Sequence, residues 1–116
     1  MNADHESIHD LASLRDALRD FAAARDWRQF HTPKNLAMAM IVEAAELVEH
    51  FQWLTPEQSL ALAPDKLAEV RDEVADTLIY LVELADALGI DPIAAARDKI
   101  VKNALKYPAP ARSPSC

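Results

Sequence analysis

Apolar and polar positions alternate at helical spacing along almost the whole chain. Ile8, Leu11, Leu14, Leu18 and Phe21 recur every three or four residues. The spacing predicts an amphipathic helix over about residues 7–25, opened by Ser7 with the acidic Asp10 three positions on. Leu36, Met40, Ala44, Leu47 and Phe51 repeat the pattern behind Thr32-Pro33, a cap residue followed by a first-turn proline. That pair predicts a second helix running to about Trp53. Thr55-Pro56 opens a short helix to about Leu62, and Val70, Val74, Thr77, Leu81 and Leu88 mark a long one from Pro64 or Asp65 to Gly89. Gly89 suits the left-handed position that follows a helix. Asp91-Pro92 opens the last helix, to about Leu105. The prediction is an all-α, four-helix bundle-like domain over residues 1–106. A Pro-rich tail, which cannot continue a helix, follows over 107–116.

Composition agrees with helices. Just over half of the 116 residues are apolar (51%), and Gly89 is the only glycine. This is one globular core's worth of chain with little material for tight hairpins. The formal net charge of −7 argues against direct grip on a nucleic-acid backbone, which needs a basic face. It leaves open a phosphorylated small molecule carried by metal ions. The single cysteine, Cys116, permits no intrachain disulfide. No run of eighteen apolar residues and no signal-type segment stands out, so no membrane partner and a cytoplasmic location are expected.

The candidate chemistry is acidic. At about 100° per residue, with Glu43 at zero, the apolar stripe of the second helix spans about +20° to +100°. Glu46 falls near −60°, His50 near −20° and Glu49 further round near −120°. On the long helix, with Glu73 at zero, Asp76, Tyr80 and Glu69 lie on the same flank of the stripe. Packing the two stripes together would bring Glu43, Glu46, Glu73 and Asp76 to one edge of the core. Such a group repels itself unless cations are present, and Mg²⁺, a hard ion with oxygen ligands, would resolve it. A lone E-x-x-E is ordinarily a solvated face; it is the matching E-x-x-D that makes this pair a site candidate.

E-A-A-E (43–46) followed by E-V-A-D (73–76) resembles the E-x-x-E … E-x-x-D signature of the all-α nucleoside triphosphate pyrophosphatases, the MazG-like group. F-A-A-A-R-D-W-R-Q-F-H, P-K-N-L-A-M-A-M, E-L-V-E-H-F-Q-W, E-V-R-D-E-V-A-D-T-L-I-Y-L-V and K-Y-P are similar to its dCTP pyrophosphatase branch over about residues 8–108. The resemblance implies Mg²⁺-dependent hydrolysis of a deoxynucleoside triphosphate, dCTP or a modified dCTP, to monophosphate and diphosphate, with Mn²⁺ as a substitute ion. It implies Glu43, Glu46, Glu73 and Asp76 as metal ligands. Trp27, Arg28, Gln29, Phe30, His31 and Trp53 match substrate-contacting positions, with Tyr80 and Asn103 as further pocket residues. Leu18 departs from the histidine that vertebrate members carry. The family forms dimers or tetramers; a homotetramer is expected here, with a dimer as the alternative.

Residue chemistry fills in the rest. Glu46 or Glu49 could take the proton of an attacking water, with a plain surface glutamate as the other reading of Glu49. Lys99, Lys102 and Lys106 could meet phosphate oxygens as point charges, Lys99 being the one retained as a substrate contact. Two rivals stand: a non-catalytic helical interaction module with an acidic solubilising face, and a carboxylate-bridged redox-metal bundle, against which the missing Glu-x-x-His pairs count.

Overall fold

The computed structural model describes residues 5–110. Residues 111–116 of the expected Pro-rich tail lie outside that range. Five α-helices follow one another: α1 (Leu11–Ala24), α2 (Pro33–Glu49), α3 (Pro56–Ser59), α4 (Pro64–Ala87) and α5 (Pro92–Lys106). Short 3₁₀ turns at His5–Ser7 and Arg28–Phe30 precede α1 and α2. No strand occurs among the described residues.

Local chemistry sets the helix starts. The Thr32 side chain accepts from the Asn35 amide, and Thr55 and Gln58 form a reciprocal capping box, each ahead of a first-turn proline. Asp91 accepts from the Ile93 and Ala94 amides at 3.0 and 3.2 Å. The first helix starts later than Ser7 suggested. Asp10 is its cap, accepting from the Ser13 amide at 2.7 Å, while the Ser13 hydroxyl accepts from the Asp10 amide at 3.0 Å. Two satisfied donors outcompete a single serine further upstream.

Helix ends also move inward. α2 stops at Glu49, because Phe51 and Leu54 bond to carbonyls three residues back and tighten the chain into turns through Trp53. The expected helix to Leu62 is the single turn α3. α4 ends at Ala87, and Gly89 takes the left-handed φ of 67° that the C-terminal position requires.

α2 against α4 is the main helix pair and α1 against α4 the second. α2 and α4 run antiparallel. His50 meets Lys66 and Glu69 at one end (3.4 and 3.8 Å), and His31, just before α2, meets Glu83 at the other (3.3 Å). Arg19 pins α1 to α4 through a two-pronged contact with Asp86, its Nε donating at 2.9 Å. The guanidinium holds the Asp86 carboxyl below the usual carboxylate range.

The buried core is thin: Ala22, Leu36, Val70, Val82 and Ala85. α5 contributes no buried residue. Ile41, Val48, Ile93, Ile100 and Leu105 remain exposed. The surface totals 9353 Å², against about 6300 Å² for a compact chain of this mass.

Candidate functional site

α4 presents Glu73, Asp76, Tyr80 and Glu83 at spacings of three, four and three, so they follow one flank of the helix. The antiparallel α2 sets Glu43 opposite the first two. Glu43, Glu73 and Asp76 each offer a carboxylate oxygen, and these oxygens lie within 4.8 Å of one another. Glu43 and Glu73 are half-buried and Asp76 is exposed.

The electrostatics of this triad are unfavourable as it stands. Burial, then the adjoining carboxyls of Glu73 and Glu46, then the charges of Glu46 and Asp76 push the Glu43 carboxyl up to about 7. The Glu73 Oε2 is buried with no hydrogen-bond partner. A hard divalent cation would relieve both defects at once, supplying charge to the triad and a partner to the orphaned oxygen. The donor set is all carboxylate, with no imidazole or thiolate, so it suits Mg²⁺ or Mn²⁺ over softer metals. The residues present fit such an ion.

The other expected site residues fall into three groups. Glu46 is half-buried and its charge is felt at Glu43, although it stands outside the close triad. Tyr80 lies between the triad and Glu83; burial, then the charges of Glu43, Glu83 and Asp76, raise its phenol above the ordinary value. Glu49 is exposed at the last residue of α2.

The connector before α2 forms the second group. The Trp27 ring meets Phe21 edge-on at 5.7 Å and His31 at 6.4 Å, and the Arg25 guanidinium covers Phe21 at 3.4 Å. Gln29 Nε2 donates to the Asp26 carbonyl at 3.1 Å, and Asn35 Nδ2 to the Phe30 carbonyl at 3.0 Å. Arg28 and His31 line a cavity of about 200 Å³ between α1, this connector and α4.

The third group is not brought to the triad within the chain. Trp53 is 87% exposed in the turn after α2. Lys99 and Asn103 are exposed on α5, which makes no extensive contact with α2 or α4.

Glu83 escaped the sequence reading. Its helical position continues the Glu73, Asp76, Tyr80 flank, and that continuation was the available signal. Its side chain is 15% exposed, with the His31 Nδ1 3.3 Å from Oε2. Burial raises its pKa, and the neighbouring imidazole opposes that rise.

An all-α fold whose central helix pair brings three carboxylates together defines a class of helical proteins with an acidic candidate cation site. The MazG-like family model matches residues 38–113, and the chain belongs to that family. It is 42% identical over 101 residues to dCTP pyrophosphatase 1 of Homo sapiens, covering 85% of this chain and 59% of that protein. To dCTP pyrophosphatase 1 of Bos taurus it is 41% identical over 100 residues, covering 84% and 59%. The chain thus spans about three fifths of the length of these curated relatives. A crystal structure of a pyrophosphatase from Archaeoglobus fulgidus DSM 4304 superposes with a TM-score of 0.81 at 42% identity. That alignment covers 92% of this chain and all of the other.

Proposed function

We propose that this protein is a divalent-metal-dependent nucleoside triphosphate pyrophosphohydrolase that converts a deoxynucleoside triphosphate and water to the monophosphate and diphosphate. dCTP or a 5-modified dCTP is the favoured substrate, and removal of unwanted nucleotides from the cytoplasmic pool is the role. The observation that carries the reading is the convergence of Glu43, Glu73 and Asp76 oxygens within 4.8 Å. The similarity to dCTP pyrophosphatase 1 supports the substrate class.

Glu43, Glu73 and Asp76, with Glu46 beside them, would hold Mg²⁺, with Mn²⁺ as a substitute. When bound, the ion neutralises phosphate charge and eases both formation of the nucleophile and departure of diphosphate. Glu46 accepts the proton of the attacking water, its half-buried position favouring it over the exposed Glu49. The water oxygen forms the new bond to the α-phosphorus as the bond to diphosphate breaks. Trp27 and His31 border the side where the nucleoside lies. No helix among the described residues is long and apolar enough to cross a membrane.

The protein works as a homotetramer, with a dimer as the alternative. Its Cα radius of gyration is 18.2 Å, against about 13 Å for a compact chain of this size. The surplus surface is apolar on two separate faces: Met38, Ile41 and Val48 on α2, and Ile93, Ile100 and Leu105 on α5. One twofold contact covers one face; two different contacts give a tetramer. In this arrangement α5 delivers Lys99 and Asn103 to the site of a neighbouring copy, and Trp53 gains cover.

Incubation with Mg²⁺ and each standard and 5-modified nucleoside triphosphate tests the reading. Monophosphate and diphosphate are the expected products. Failure with every substrate, together with no Mg²⁺ or Mn²⁺ binding by calorimetry, would leave a non-catalytic helical module.

A further inference from the structure

The cavity between α1 and α4 holds a polar group whose hydrogen bonding is incomplete. Glu83 Oε2 is buried and makes no hydrogen bond. The His31 Nδ1 lies 3.3 Å away, close enough for charge contact but outside bonding geometry. A buried acceptor in that condition calls for a donor. Of the guanidiniums that line the cavity, Arg19 is bonded to Asp86 by both of its prongs, Arg15 pairs with Asp16, and Arg28 makes no bond to this oxygen.

The walls of the cavity are mixed: Arg15, Arg19, Arg28, His31 and Asp86 lie on its polar side, and the rest is apolar. Leu18, Ala22, Leu36 and Val82 offer flat contact and no hydrogen bonds. The volume of about 200 Å³ compares with the roughly 150 Å³ apolar cavity that accepts benzene, so it has room for a six-membered ring. Glu83 also stands two helical turns beyond Asp76, about 10 Å along α4, with Tyr80 between. That is the reach of one sugar and one base from a phosphate held at the triad.

We propose that Glu83, oriented by His31, is the residue that selects the base, accepting a hydrogen bond on Oε2 from the exocyclic amine of a 4-aminopyrimidine. The inference rests on the pyrophosphohydrolase reading and deepens it. In its ionised form the carboxyl offers acceptor oxygens only, which is the match for the amine. A 4-oxo pyrimidine would set a carbonyl oxygen against that acceptor and leave both unpaired. Leu18 has no hydrogen-bonding group, and with Asp86 bonded to Arg19 the unpartnered carboxylate oxygen of the cavity is Glu83 Oε2. Glu83 does not touch the reacting phosphorus, so its effect is on the choice of substrate rather than on the rate of an accepted one.

dCTP and dUTP differ only in the 4-amino and 4-oxo groups, and kcat/KM for the two in Mg²⁺ measures the choice. The wild-type protein should prefer dCTP by at least tenfold. Glu83→Gln, whose amide can turn either face to the base, should collapse the preference at least tenfold, the loss falling on kcat/KM for dCTP. Glu83→Ala should do the same, and circular dichroism of both variants reports that the helices persist. Binding of dCMP and dUMP without metal gives a second readout, in which the preference for dCMP should vanish in Glu83→Gln. An undiminished dCTP preference in both variants, or a wild-type preference for dUTP, overturns the proposal. If the wild type hydrolyses neither triphosphate, the functional reading fails, and the monophosphate binding ratio still decides the role of Glu83.

Discussion

Glu43 on α2 and Glu73 on α4 bring carboxylate oxygens within 4.8 Å of each other across the main helix interface. Two acidic groups at that distance, with Asp76 beside them, destabilise the metal-free chain and ready it for a cation. The same contact bears on stability and pH response, and in the proposed function on the chemistry as well.

The first prediction concerns pH. The Glu43 carboxyl is raised from an ordinary 4.5 to about 7, so the folded chain binds its proton more tightly than the unfolded chain does. Its contribution to stability is fully present below about pH 4.5 and is lost as pH rises through about 7. In chelator, urea unfolding of the wild type relative to Glu43→Gln should show a stability gap that widens across this window. Mg²⁺ at a hundredfold excess over its Kd should add about 2.7 kcal/mol to the wild type near neutral pH and less in acid, where protons compete. A gap independent of pH would contradict the assigned burial and repulsion at Glu43.

Leu36 separates packing from chemistry. It is 2% exposed between α2 and α4 and lines the cavity beside Glu83 without joining the triad. Leu36→Ala should cost about 3 kcal/mol in metal-free urea unfolding, by lost burial and a residual cavity. Mg²⁺ affinity of the folded fraction should stay within a few-fold of wild type. A loss below about 1 kcal/mol would mean that α2 and α4 are held together by something other than this contact.

Most of the fold and the triad were legible because they depend on local signals. Thr32-Pro33, Thr55-Pro56 and Asp91-Pro92 all cap helices, since a cap needs only its own next three residues. Glu43, Glu73 and Asp76 converge because stripe and flank are properties of helical spacing. The His31–Glu83 contact was hidden. It depends on the path of the connector, where Asp26 takes a left-handed φ of 55° that no residue pattern announces. The detachment of α5 was hidden too, because an amphipathic stripe shows that a face will be covered but not whose face covers it.

That open face gives a third prediction. Ile100 is 68% exposed on α5 in line with Ile93. If α5 is covered by another copy, light scattering should give the mass of a tetramer, or of a dimer, for the wild type. Ile100→Glu should lower that mass and reduce turnover at least tenfold by withdrawing Lys99 and Asn103 from the neighbouring site. A wild-type monomer with full activity would contradict the assembly.

The most direct measurement compares the wild type with Glu73→Gln on dCTP in Mg²⁺, following products by phosphorus NMR. The wild type should release dCMP and diphosphate and stop when a chelator removes the ion. Glu73→Gln should keep its helical circular dichroism, because it removes one member of a repelling group, and should lose at least a hundredfold in rate. Turnover near the wild-type level in Glu73→Gln, or hydrolysis that persists in chelator, would contradict the carboxylate triad as the seat of the chemistry.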